Sequence, residues 1–93
     1  MDLGKIGKLL REERLKKGWS QRALAERIGL PQSHLSKIEN GAVDLQTSTL
    51  VELARTLELE LMLIDRKWVP AVAALIRGAK PQTPLYQLEE EDE

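Results

Sequence analysis

The twenty residues Gln21 to Asn40, Q-R-A-L-A-E-R-I-G-L-P-Q-S-H-L-S-K-I-E-N, decide the fold. Ser20 offers a hydroxyl N-cap in front of them, and Leu24, Ala25 and Ile28 form a short apolar stripe that Gly29 ends. After Leu30, Pro31 suits a first helical turn because its missing N–H costs nothing there. Leu35 and Ile38 then mark a second short helix that closes at Asn40-Gly41. Asn-Gly also signals a hairpin, but no alternating segments flank it, so a helix end is the better reading. Where two such helices cross near a right angle, the contact admits only a small side chain such as Ala25. The turn between them wants the positive φ that Gly29 supplies cheaply, and the other apolar positions close the wedge.

Outward from this unit the period stays helical. Leu3, Ile6, Leu9, Leu10 and Leu15 predict a first helix, with cations crowding its end and a stop near Gly18. A polar stretch, Asp44 to Thr49, leads to a fourth helix with Leu50, Val51, Leu53, Ala54 and Leu57 on one apolar face; Thr49-x-x-Glu52 matches a capping box, with a start a few residues earlier as the alternative. From Leu57 to Asp65 the period changes to two, which predicts a strand with Leu59, Leu61 and Leu63 on one side and Glu60, Met62 and Ile64 on the other. No second segment reads as its partner. A lone strand exposes unpaired N–H and C=O groups, so Leu59, Leu61, Met62, Leu63 and Ile64 are expected in a two-stranded ribbon between the copies of a homodimer. A short helix is expected from near Pro70 to Gly78, and from Ala79 onward the composition is too polar to bury a core.

The chain has 93 residues, enough for one compact core and too few for two domains. Phe is absent and aromatics are 3%, so Leu, Ile, Val and Ala must fill the interior; so small a core favours dimerisation. With no cysteine and one histidine, disulfides and thiolate-bound metals are excluded, and neither a cofactor nor a metal is expected. No apolar run approaches the roughly 18 to 20 residues of a membrane span, and no secretory leader pattern is present. A soluble, cytoplasmic protein is expected. The net charge of −1 hides an acidic run, Glu89 to Glu93, and an excess of cations in residues 1 to 41, nine basic against five acidic. A modest basic lobe of this kind suits nucleic acid.

Gln21 to Asn40 resembles the helix-turn-helix signature. The fuller string, Trp19-Ser20-Gln21-x-x-Leu24-Ala25-x-x-x-Gly29, continued by Leu35-x-x-Ile38-Glu39-Asn40-Gly41, is similar to the phage-repressor and Cro-like (XRE) regulators, over about Leu9 to Leu57. The expected fold is therefore all-α, a compact bundle of four to five helices with a helix-turn-helix, plus the short strand of an intersubunit two-stranded sheet. Residues 1–58 are then expected to form the DNA-binding domain, 59–66 the dimerisation strand, and 67–93 an extension with a short helix and an acidic tail.

The resemblance implies that the second helix of the unit lies in the major groove. Matched position by position, Gln32, Ser33, Ser36 and Lys37 fall at the bases, with His34 at bases or phosphates. Gln32 is the strongest candidate, since its amide both donates to and accepts from adenine. Gln21 and Asn40 are placed on phosphates, with Arg22, Arg11 and Arg14 as weaker candidates. Glu39 is expected to hold a basic side chain or a backbone amide, and Trp19 to pack as a staple beside the Ser20 cap.

A helix followed directly by Leu-Glu-Leu-x-Leu-x-Leu further resembles the antitoxin and autorepressor of Hip-type toxin–antitoxin pairs. That implies double-stranded operator DNA, a homodimer and a serine/threonine-kinase toxin as partners. Trp68, Leu85 and Tyr86, with Leu88, are apolar anchors that suit partner contacts. Catalysis is not expected: His34 has Ser33 and Ser36 nearby, but neighbours on a helix point apart and no third orienting group is evident. The competing reading is a protein-interaction adaptor that keeps the helix-turn-helix only as scaffold.

Overall fold

The computed structural model describes residues 2–78. The acidic run Glu89 to Glu93 and the expected partner contacts Leu85, Tyr86 and Leu88 lie outside the described residues. The chain divides into two units after Leu61. The first holds four helices, α1 (Leu3–Lys16), α2 (Gln21–Ile28), α3 (Gln32–Glu39) and α4 (Thr47–Thr56). The second holds a 3-10 turn (Arg66–Trp68) and α5 (Val69–Gly78).

Each helix of the first unit starts and stops for local reasons. Asp2 accepts the Lys5 N–H at 2.8 Å to open α1, and the Ser20 hydroxyl accepts the Ala23 N–H at 3.0 Å to open α2. Pro31 stands one position before α3 rather than inside it, and no side chain caps that helix. All four helices end in the same pair of backbone bonds. A residue in the left-handed region donates to the carbonyl three positions back, and its successor donates to the carbonyl five positions back: Trp19 to Arg14, Leu30 to Ala25, Ala42 to Lys37 and Leu59 to Ala54. Glycine holds the left-handed place three times, at Gly18, Gly29 and Gly41, and Glu58 holds it at the end of α4 with φ 60°.

The core is Leu10, Leu24, Ala25, Leu35, Ile38, Leu53 and Leu57, with Ile6, Trp19, Ile28, Leu30 and Leu50 packed against it. Leucine dominates, as an interior without Phe requires. α1 and α3 approach so closely that a Cβ on Gly7 would overlap the Ile38 carbonyl and lie 2.6 Å from that of Glu39. A Cβ on Gly41 would come within 2.7 Å of the Gly4 Cα. Backbone therefore rests on backbone along this seam.

Several expectations are corrected. Leu3, Leu9 and Leu15 lie on the outside of α1, and Val51 is exposed on α4. An amphipathic period leaves the width of the stripe open, and here only Ile6 and Leu10 of α1 face inward. α4 begins at Thr47, two residues before the expected capping box, with Gln46 ahead of it and no side-chain cap bond. Residues 59–65 carry no regular element among the described residues. The physical reason is that a strand is defined by its ladder, and a single chain supplies no second edge. The helix expected from Pro70 to Gly78 is present as α5, preceded by the 3-10 turn whose N-cap Asp65 accepts the Lys67 N–H at 3.1 Å. None of the residues of α5 is buried.

Candidate nucleic-acid interface

α3 has two faces of opposite character. Leu35 and Ile38 point into the core, while Gln32, Ser33, His34 and Lys37 are exposed and Ser36 half-exposed. An eight-residue helix is too short to persist by itself, so its geometry is set by packing on α1 and α2. With Pro31 offering no side-chain acceptor, the first amides of α3 have no intrahelical partner at the end where Gln32 and Ser33 stand. Such an uncapped N-terminus favours negative charge.

Beneath this surface lies a buried polar cluster. Glu39, whose side chain is fully buried, accepts from Arg14 twice, Nε to Oε2 at 2.8 Å and Nη2 to Oε1 at 3.1 Å. Arg14 Nη1 also donates to the Trp19 carbonyl at 2.8 Å. Gln21 Nε2 donates to Glu39 Oε1 at 2.9 Å, and Gln32 Nε2 makes a long contact of 3.5 Å with Gln21 Oε1. No buried side-chain N or O atom among the described residues lacks a partner. The cluster joins the end of α1, the start of α2 and both ends of α3 through side chains alone. Its bidentate, charge-assisted bonds fix orientation as well as energy.

The structure thus gives Glu39 the expected structural role and names its basic partner as Arg14. Arg14 is not available to phosphate, because it is 6% exposed and committed to Glu39 and Trp19. Gln21 stands at the first position of α2, its amide turned toward Glu39, while the first amides of α2 follow the Ser20 cap. Arg11, Arg22 and Asn40 are exposed. Trp19 packs on the core as a staple would, and the Arg27 guanidinium lies 4.1 Å from its ring centroid. Trp68 belongs to the second unit and is exposed. The Glu58 carboxyl is held below the usual carboxylate range by a hydrogen bond from the Lys17 ammonium and by its charge.

A family model described as Helix-turn-helix matches residues 10–64. The chain belongs to the helix-turn-helix family, of the XRE or Cro-like type. It is 40% identical over 80 residues to an uncharacterized HTH-type transcriptional regulator, y4dL, of Sinorhizobium fredii, covering 86% of this chain and 41% of that protein. It is 35% identical over 60 residues to the antitoxin HipB of Escherichia coli O6:H1, covering 64% of this chain and 61% of that one. The chain therefore spans about two fifths and three fifths of the lengths of these relatives. Among solved structures, a HipA-HipB-O2-O3 complex contains a chain 27% identical, with TM-score 0.63, covering 71% of this chain and 93% of that one. Among the described residues no helix is long and apolar enough to cross a membrane.

Proposed function

We propose that the chain is a sequence-specific DNA-binding repressor, the autoregulating antitoxin of a Hip-type toxin–antitoxin operon, which holds a serine/threonine-kinase toxin inactive. The observation that carries DNA reading is the polar outer face of α3, Gln32, Ser33, Ser36 and Lys37, on a helix whose inner face is locked by Leu35, Ile38 and Glu39. A rigid helix presenting amide, hydroxyl and ammonium groups suits base edges in the major groove. His34 beside them, with Arg22, Asn40 and the start of α2 at Gln21, supplies phosphate contacts that fix register. The protein is no enzyme in this reading; the kinase is the partner.

The antitoxin reading is supported by the likeness to HipB and to a chain of the HipA-HipB-O2-O3 complex. Residues 59–64 are the segment we assign to a homodimer: paired with the same segment of a second copy, their N–H and C=O groups beyond the Leu59 N–H, which closes α4, complete a ribbon. A two-fold dimer then reads a near-palindrome with half-sites roughly 34 to 36 Å apart.

The test is a titration of the full chain against DNA from upstream of its own gene and against scrambled DNA, at two salt concentrations. A preference of about a thousandfold, falling in affinity as salt rises, is expected. Changing Gln32 and Lys37 together to Ala is expected to abolish the preference, at about 1 to 3 kcal/mol per good base contact. Equal weak binding to both DNAs would move the function to protein contacts made by a helix-turn-helix scaffold.

A further inference from the structure

The first unit carries a groove of about 220 Å³ on the side of α4, lined by Val51, Ala54, Arg55, Leu59, Glu60 and Leu61. Val51 and Arg55 lie one turn apart on the outer face of α4, both exposed. The left-handed Glu58 reverses the chain after α4, so Leu59 to Leu61 return alongside that face. The lining is mixed, apolar at Val51, Ala54, Leu59 and Leu61, with Leu61 46% and Val51 38% exposed. It also contains one cation, Arg55, and one anion, Glu60, neither of which forms a salt bridge among the described residues. Their neighbour Glu58, by contrast, is taken by Lys17.

One charge of each sign, unpaired among the described residues, is the condition for a surface to complement itself. In an isologous two-fold contact residue i meets j while j meets i, so a patch of a single sign repels its own copy. A patch bearing one positive and one negative side chain pairs twice. We propose that this groove is a homodimer contact in which Arg55 of each chain pairs with Glu60 of the partner subunit, beside apolar contact made by Val51. The inference rests on the homodimer reading above and adds to it the charges that fix the register of the two copies. The groove shares Leu59, Glu60 and Leu61 with the segment assigned to the ribbon.

The experiment is sedimentation of the full chain across a concentration series, for wild type, R55E, E60R and the double exchange R55E/E60R, each checked for helix content. Both residues are exposed, so all four proteins are expected to fold. Each single exchange replaces two attractions by two repulsions and is expected to weaken dimerisation about tenfold or more, less so at high salt. The double exchange restores opposite charges and is expected to recover to within about threefold of wild type. Single variants that dimerise as tightly as wild type, or a double variant no better than the singles, overturn the pairing while leaving the dimer standing. A wild type that stays monomeric throughout removes the homodimer reading, and the pairing with it; the groove is then left for another segment of this chain or another protein.

Discussion

Replacing Glu39 by Ala removes the acceptor on which three donors converge. Arg14 Nε and Nη2 lose bonds of 2.8 and 3.1 Å, and the Gln21 amide loses one of 2.9 Å. The guanidinium stays where it is, 6% exposed, with the Trp19 carbonyl as its remaining partner. Leaving one half of a buried ion pair behind costs about 3 to 5 kcal/mol, chiefly as desolvation of the survivor. A folding unit of this size has a total stability of roughly 3 to 9 kcal/mol, so Glu39→Ala is expected to bring it close to its unfolding midpoint at room temperature. Urea denaturation followed by far-UV circular dichroism reads the change as a shift of midpoint at constant slope. A companion variant separates charge from shape. Arg14→Met with Glu39→Leu removes both charges and keeps the volume, and is expected to lie within about 1 to 2 kcal/mol of wild type. That variant leaves Gln21, and through it Gln32, without an anchor, so DNA preference should fall while the fold stands. The reasoning is refuted if Glu39→Ala costs less than about 1 kcal/mol, or if the double variant is as unstable as the single one.

Gly7→Ala drives a methyl into the Ile38 and Glu39 carbonyls, and a loss of about 1 to 3 kcal/mol or more is expected in the same melts, although alanine is the better helix former. Glu58→Gly relieves a left-handed non-glycine residue, and a higher urea midpoint is expected, the rise reduced by loss of the exposed Lys17 contact. The sign of the pH effect at Glu58 follows from its lowered folded-state pKa. Its stabilising contribution is present above the ordinary value of 4.5 and is lost as pH falls through the folded value. Acid titration of wild type against Glu58→Gln should show that part of the acid loss vanish in the variant; identical pH profiles would mean that water screens the pair completely.

The two helices at the centre were readable because their determinants are local. Ser20, Gly29 and Gly41 act within a turn of themselves, and Leu24, Ala25, Leu35 and Ile38 keep the spacing of a wedge. Glu39 could be assigned a structural role by resemblance, but Arg14 could not be named as its partner. The two lie 25 positions apart, and in sequence Arg14 is one of several cations on a helix that otherwise faces water. Gly7 carries no signal in the sequence for a similar reason, because what makes it necessary is the end of α3, over thirty residues away. Leu9, Leu15 and Val51 fitted a helical period and still face outward, since a period gives the direction of a stripe and not its width. Thr49 and Glu52 had the right spacing for a cap, yet the polar residues ahead of them extend the helix to Thr47. The alternation from Leu57 to Asp65 is a real property of the sequence that one chain cannot turn into a ladder.

The backbone seam between α1 and α3 also bears on how such a protein changes over time. Because Gly4, Gly7 and Gly41 set the distance between the helices, the pose of α3 does not depend on the side chains of its outer face. Ser33, His34, Ser36 and Lys37 can be exchanged without disturbing the interior, and Gln32 is tied to it only by one long contact. Mutation can therefore rewrite the outer face in single steps, each leaving a folded protein, while the inner face stays under the constraint that keeps the helix in place.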